Sequence, residues 1–192
     1  MRSASIGAVI LAAGQSRRMG DANKLLTFWQ GKPLLCHALD LFQDLGLPML
    51  LVTGHDAGAV AALARPFGCK IVHNPGHEEG MGRSLAAGIA AAPPEWGAAL
   101  IALGDMPMIR PETVRALLAA RAKNAFILAP AMGARTGHPV LWPRAFFEEL
   151  TQLRGDKGAR EIIDRHADRL RTVPVDDPGI FRDFDQPEAF AP

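Results

Sequence analysis

Four short, almost wholly apolar runs mark the sequence, at residues 6–12, 49–53, 98–103 and 126–130. Runs of this kind suit strands buried on both faces, the habit of a parallel sheet. Between them lie stretches of helical period. Residues 33–45 open with Pro33, suited to a first helical turn, and close at Gly46, suited to a C-terminal cap. Leu34, Leu35, Ala38, Leu41, Phe42 and Leu45 fall on one stripe of this segment. Residues 111–123 repeat the scheme with Val114, Leu117 and Leu118 inward, and residues 143–153 with Phe146, Phe147, Leu150 and Leu153. A small-residue helix is expected over 85–92. In the tail, 157–166 reads as helical and 170–175 and 181–185 as extended. The alternation predicts an α/β protein, a single domain over residues 1–192 built on a doubly wound, mostly parallel sheet. Such sheets bind ligands outside the carboxyl ends of their strands, so the residues that follow each apolar run carry the functional question.

The totals narrow the answer. A chain of 192 residues suffices for one domain with a sizeable core, and 48% hydrophobic residues exclude a disordered one. A net charge of +1 argues against a broad nucleic-acid footprint. Cys36 and Cys69 have no metal-ligand spacing and read as buried thiols of a reducing cytosol. The apolar stretch behind the N-terminus runs into an arginine-bearing loop without a convincing cleavage site, so it reads as a strand and not as a signal peptide. No apolar run approaches the roughly 20 residues of a membrane helix. A cytoplasmic protein is expected.

The first apolar run empties into Leu11-Ala-Ala-Gly-Gln-Ser-Arg-Arg-Met-Gly-Asp-Ala-Asn-Lys24. Gly14 and Gly20 permit positive φ and close backbone approach. Arg18 offers a planar fork for phosphate oxygens and Lys24 a point charge. Backbone N–H groups of such a loop can wrap a triphosphate. The loop is neither a Walker A motif nor a G-x-G-x-x-G fingerprint, and taken on charge alone a solvated loop is as good an account. The third run ends in Gly104-Asp105-Met106-Pro107. Asp105 is there either a functional strand tip or a helix N-cap, and Pro107 and Pro111 delay the next helix in a way that favours the first. A cationic loop and a metal-seeking carboxylate at strand ends of one sheet point to metal-assisted nucleotidyl transfer. His73 and His77 stand four apart, but Asn74-Pro75-Gly76 breaks any helix between them and leaves a loop histidine.

The string L-A-A-G-x-S-x-R-M-G followed by Lys24 resembles the signature of the molybdenum cofactor guanylyl- and cytidylyltransferases and, more distantly, of sugar-1-phosphate nucleotidyltransferases. The resemblance continues through Asn74-Pro75, Glu79-Gly80-Met81, Ser84-Leu85, Gly104-Asp105-Met106-Pro107, Gly137-His138-Pro139-Val140, Gly155-Asp156-Lys157-Gly158-Ala159-Arg160 and Asp183-Phe184-Asp185-Gln186-Pro187, in the family's order. It implies a Rossmann-like nucleotidyltransferase fold. It implies that Leu11, Ala12, Ala13, Gly14, Ser84 and Gly104 bind base and sugar, and that Arg18 and Lys24 meet the triphosphate. It implies Mg²⁺ on Asp105, with Asp183 or Asp185 completing the shell. The 155–160 segment would face a pterin-bearing acceptor, with His138, Lys157 and Arg160 on that side. Arg18, Lys24 and Asp105 would carry the catalysis. CTP, a molybdopterin-type cofactor and a target molybdoenzyme are the implied partners. Guanylyl-transferring relatives usually read L-A-G-G, and a Cβ at Ala13 narrows the space beside the base in favour of a pyrimidine. Gln186 stands where the family usually has threonine. The rival readings are a GTP- or sugar-phosphate-using relative and a non-catalytic accessory protein that delivers the cofactor.

Overall fold

Ala8, Ile10 and Ala12 join one buried cluster from β1 (Ser5–Ala12), while Val9 and Leu11 join a second cluster on its other side. A strand apolar on both faces has to lie inside a sheet covered on both sides. The structure, a computed structural model, describes residues 5–15, 23–121, 126–156 and 158–185 and has this arrangement. A small hairpin of β2 (Phe28–Trp29) and β3 (Lys32–Pro33) follows β1. Next come α1 (Leu34–Asp44), β4 (Met49–Thr53), α2 (Ala57–Ala64), β5 (Lys70–His73), α3 (Met81–Ala90) and β6 (Trp96–Leu103). The second half contributes α4 (Pro111–Ala120), β7 (Ile127–Met132), β8 (Arg135–Thr136), β9 (Val140–Pro143), α5 (Phe147–Thr151), α6 (Arg160–Arg165) and β10 (Leu170–Pro174).

An eight-stranded sheet runs in the order β10-β7-β9-β6-β1-β4-β5, with β8 paired to β7. Strands β6, β1, β4 and β5 are mutually parallel, as are β7 and β10, and β9 runs antiparallel between β6 and β7. Leu35, Leu39 and Phe42 of α1, Val60 of α2 and Val114 and Leu117 of α4 cover one face. Leu85 and Ile89 of α3, Phe147 and Leu150 of α5 and Ile162 of α6 cover the other. The single-domain, doubly wound, mostly parallel sheet expected from the sequence is present. The chain steps outward from β1 to β4 and β5, then crosses back to β6 on β1's other side. The switch point lies between the carboxyl ends of β1 and β6, where Leu11 pairs with Leu103 and the Gly104 N–H donates to the Leu11 carbonyl at 2.9 Å.

Several boundaries differ from the sequence reading. Pro143 closes β9 instead of opening a helix. A short 3-10 turn, Arg144–Phe146, intervenes before α5. The helix expected over 85–92 starts four residues earlier, at Met81. The tail expected to be extended over 181–185 begins with a 3-10 turn, Pro178–Phe181, and continues irregularly. Cys36 and Cys69 are free but half-buried instead of buried. Burial raises both thiol pKa values, that of Cys69 to about 11.

Helix α3 lies close on the sheet because Gly88 has no side chain. A Cβ there would come within 2.5 Å of Val9 Cγ1 and 2.8 Å of Val52 Cγ2. Alanine is the better helix former by about 1 kcal/mol, yet Gly88→Ala is expected to destabilise the protein by about 1–3 kcal/mol through overpacking. Urea unfolding reads this directly, and a gain in stability would show that α3 tolerates a greater distance from β1 and β4.

Candidate functional site

The chain leaves β1 through Ala13, Gly14 and Gln15, and leaves β6 through Gly104 and Asp105. A cleft of about 380 Å³ opens over these two strand ends. Leu11, Ala12, Ala13 and Gly14 form its floor, Met81 and Ser84 of α3 one wall, and Asp105, Asp183 and Asp185 the other. Gly14 is not in the positive-φ region, and a Cβ on it would meet nothing within 4 Å. Its service is therefore open space toward the cleft, not a left-handed turn. Gly104 does not line the cleft. A Cβ there would stand 3.0 Å from Leu35 Cδ1 and 3.2 Å from the Leu11 carbonyl oxygen, so its smallness lets the exit of β6 lie against β1. Arg18, Gly20 and Lys157 lie outside the described residues.

Lys24 opens a 3-10 turn, Lys24–Leu26, capped by Asn23, whose side-chain oxygen accepts from the Leu25 N–H at 3.1 Å. Its Nζ meets Asp105 Oδ2 at 2.5 Å and pairs also with Asp185 Oδ1. Burial by itself lowers the pKa of Lys24, but the two carboxylates outweigh it and hold the ammonium above the ordinary lysine value. It is charged throughout the neutral range. The cation expected to meet phosphate thus binds two of the expected metal ligands.

Phe184 sets the direction of the C-terminal carboxylates. It is fully buried, its ring meets Trp29 edge-on with centroids 5.0 Å apart, and its N–H donates to the Asp105 carbonyl at 3.0 Å. Trp29 in turn leans on His37, with ring centroids 4.8 Å apart. With Phe184 turned inward, Asp183 and Asp185 both turn to the cleft. Asp185 reaches Lys24 beside Asp105, and among the described residues no group of three or more His, Cys, Asp or Glu side chains could hold a metal ion. The donor set is therefore a carboxylate pair, Asp105 with Asp185, and Asp183 on the same wall. Mg²⁺ favours one or two carboxylates together with substrate phosphates and water, so the residues present fit that ion. Asp105 is no helix cap. The start of α4 is served by the buried Asp177, which accepts from the Arg110 N–H at 2.8 Å and the Thr113 hydroxyl at 2.6 Å.

The opposite wall contains Asp156, to which the sequence reading gives no role of its own, and His77, which it reads as a loop histidine. Asp156 Oδ1 lies 2.4 Å from where a Gly80 Cβ would be, and Gly80 has a φ of 107°. A carboxylate thus stands over the N-terminus of α3, where the helix dipole favours it. His77 sits in the turn His77–Glu79 and lines the cleft beside Glu78. Its Cβ and the Ala13 Cβ lie 2.5 and 2.9 Å from the place a Gly54 Cβ would take, so Gly54 lets them close together over the end of β4. The Nδ1 of His77 is buried without a hydrogen-bond partner among the described residues. Ser84 does not cap α3. It is buried and accepts from Asn74 Nδ2 at 3.1 Å. Asp156 is overshadowed in the sequence by the cations Lys157 and Arg160 that follow it, and the spacing of His77 from His73 carries no role across the Asn74-Pro75-Gly76 loop.

His138 and Arg160 lie together in a second cavity of about 320 Å³, which shares Leu11, Met81 and Leu103 with the first. Burial lowers the His138 pKa, opposed by a hydrogen bond to the Ile101 backbone and by the charges of Asp105 and Asp183.

An open α/β sheet with a carboxylate-bearing cleft over its switch point is a Rossmann-like nucleotidyltransferase fold, as the solved structures similar to this chain also have. The chain belongs to the MobA-like NTP transferase domain family, whose model matches residues 8–170. It is 35% identical over 131 residues to the bifunctional protein GlmU of Cereibacter sphaeroides, covering 67% of this chain and 29% of that protein. It is 32% identical over 173 residues to the GlmU of Clavibacter sepedonicus, covering 87% of this chain and 33% of that one. The chain thus spans about a third of the length of these curated relatives. The crystal structure of Rv0371c from Mycobacterium tuberculosis superposes with a TM-score of 0.86 at 28% identity over 98% of this chain and 97% of that one. A manganese complex of the same protein gives 0.82 at 27% identity, over 97% and 96%.

Phe184→Ala is expected to destabilise the fold by about 3–5 kcal/mol and to weaken Mn²⁺ binding, followed by electron paramagnetic resonance in the presence of CTP. Undiminished Mn²⁺ binding in a folded variant would show that Phe184 does not position the carboxylates.

Proposed function

We propose that this chain is a Mg²⁺-dependent, cytoplasmic nucleotidyltransferase that moves CMP from CTP to the terminal phosphate of molybdenum-bound molybdopterin and releases pyrophosphate. The observation that carries the reading is the convergence of Lys24, Asp105 and Asp185 in one cleft floored by Leu11, Ala12, Ala13 and Gly14. Among the described residues, Glu78, Asp105, Asp156, Asp183 and Asp185 line that cleft against a single lysine. A triphosphate cannot enter so acidic a space without cations to offset both charges, which supports metal-assisted chemistry. The manganese complex of the 27% identical relative supports a divalent ion.

In the proposed reaction an oxygen of the acceptor's terminal phosphate attacks the α-phosphorus of CTP in line. A new P–O–P bridge forms, the bond from the α-phosphorus to the β-bridging oxygen breaks, and pyrophosphate leaves with the electron pair. The acceptor phosphate is ionised at neutral pH, so no general base is required. A bound Mg²⁺, held by Asp105 with Asp185 or Asp183, would neutralise charge at the α-phosphate. Lys24, protonated throughout the neutral range, serves the leaving phosphates together with Arg18. Catalysis of this kind is positioning and electrostatic stabilisation. For the base, the Ala13 methyl closes with His77 around Gly54 and leaves less room there than glycine would, which supports a pyrimidine. The completed cofactor would pass to a target molybdoenzyme. Among the described residues no helix is long and apolar enough to cross a membrane.

The test is pyrophosphate release with each nucleoside triphosphate in the presence of Mg²⁺ and molybdenum-bound molybdopterin. CTP should give the largest kcat/KM, and Asp105→Asn should lower it at least about 100-fold, because the metal supplies several kcal/mol of charge stabilisation. Ala13→Gly should move the preference toward GTP. Cofactor binding without pyrophosphate release from any nucleotide would instead identify a delivery protein.

A further inference from the structure

Lys24 stands in the space that a divalent ion shared by Asp105 and Asp185 would need. Its Nζ lies 2.5 Å from Asp105 Oδ2 and pairs with Asp185 Oδ1, and its side chain is only 12% exposed. Mg²⁺ binds oxygen ligands at about 2.0–2.1 Å, so an ion bridging these two oxygens has to take the place of the nitrogen. The ammonium and the ion are alternative occupants of one position.

The two ends of Lys24 differ in freedom. Its neighbours Asn23 and Leu25 are buried, at 6% and 3% exposure. Asn23 Oδ1 accepts from the Leu25 N–H, and Asn23 Nδ2 donates to Asp56 Oδ2 at 3.2 Å, which ties the turn to the residue before α2. The backbone is anchored, while the four-carbon stem lets the charge swing. Glu78, Asp156 and Asp183 add to the acidity of the same cleft, and a cleft of one sign concentrates counter-ions. A metal ion that arrived alone would push one positive charge aside and leave it a few ångströms from two more, a repulsion that a partly buried cleft screens poorly. A triphosphate reverses the balance, because its oxygens accept from the displaced ammonium and ligate the ion as well.

We propose that Lys24 is a resident counter-ion that keeps free divalent ions off Asp105 and Asp185, so that the cleft admits the ion only together with a triphosphate that takes over the ammonium. The proposal rests on the transfer reading and gives Lys24 a task before the chemistry. By linkage, the ion and the triphosphate then raise each other's affinity by the same factor.

The probe is Mn²⁺ without nucleotide, its unbound fraction read by electron paramagnetic resonance. Lys24→Met keeps an unbranched apolar stem and removes the charge, and it should bind Mn²⁺ at least tenfold more tightly than the unaltered protein. Lys24→Arg, which keeps the charge, should bind as weakly as the unaltered protein. Adding Asp105→Asn to Lys24→Met should abolish the gain, and so should CTP, since the unaltered protein then has its ammonium on phosphate. Near-ultraviolet circular dichroism, to which the Trp29–Phe184 pair contributes, checks that the C-terminal segment stays docked. Should Lys24→Met loosen that pair, Lys24→Gln, neutral but still able to donate to a carboxylate, carries the same expectation. Equal or weaker Mn²⁺ binding in the docked neutral variant, an equal gain in Lys24→Arg, or a gain that survives Asp105→Asn or CTP would each overturn the proposal. Tighter Mn²⁺ binding by Lys24→Met in a protein that releases pyrophosphate from no nucleotide would keep the counter-ion and refute the transfer reading instead. Pyrophosphate release by the unaltered protein with unchanged Mn²⁺ binding in Lys24→Met would do the reverse.

Discussion

The ammonium of Lys24, held between Asp105 and Asp185, joins three parts of the chain that lie 81 and 161 residues apart in sequence. Two carboxylates drawn together in a half-buried cleft repel one another unless a cation lies between them. Among the described residues, Lys24 is that cation. The contact ties the C-terminal segment to the ends of β1 and β6 and holds in one place the charge arrangement that a divalent ion would use. Any cation entering between the carboxylates competes with the ammonium, and a displaced ammonium would still be charged and still be in the cleft, next to whatever anion came with the ion.

This meeting depends on strand order. Because the chain winds outward from β1 and returns to β6 on the other side, the exits of these two strands diverge and leave a crevice. Gly104 sinks under that crevice and brings Asp105 up beside the floor formed by Leu11 and Ala12. The C-terminal segment adds its carboxylates by packing, not by pairing. Phe184 is buried against Trp29 of the small hairpin, and the aspartates on either side of it turn outward as a consequence. The hairpin, which contributes nothing to the main sheet, thus acts on the site through one aromatic contact.

Much of this was legible in the sequence where a single physical demand governed a whole segment. Strands β1, β4, β6 and β7 are buried on both faces and had to be written as unbroken apolar runs. Asp105 could be placed because a carboxylate directly behind such a run has few structural uses. Strand β5 was not legible, since it lies at the sheet edge and its four residues are all at least partly exposed. Strand β9 was hidden because Pro139 and Pro143 bracket it like helix punctuation, and nothing in a period-two pattern announces an antiparallel strand inserted between parallel neighbours. The contact of Lys24 with Asp185 and the place of Asp156 over α3 are tertiary facts. No local propensity encodes them, and the strong charge of the neighbouring Lys157 and Arg160 drew the reading away from Asp156.

The two cavities differ in their linings. The first is acidic and polar and suits charge held by counter-ions, where position and electrostatics decide what reacts. The second is apolar and suits recognition by shape, where hydrophobic walls reject a polar ligand through unmet hydrogen bonds more than they select among apolar ones. Leu11, Met81 and Leu103 belong to both, so a ligand bridging the two cavities would pass from hydrocarbon to carboxylate within the reach of a few side chains. Such an abrupt boundary orients a ligand that has one apolar end and one anionic end. The reversed pose would bury its charge among leucines and expose its ring to aspartates, and both halves of that exchange are unfavourable.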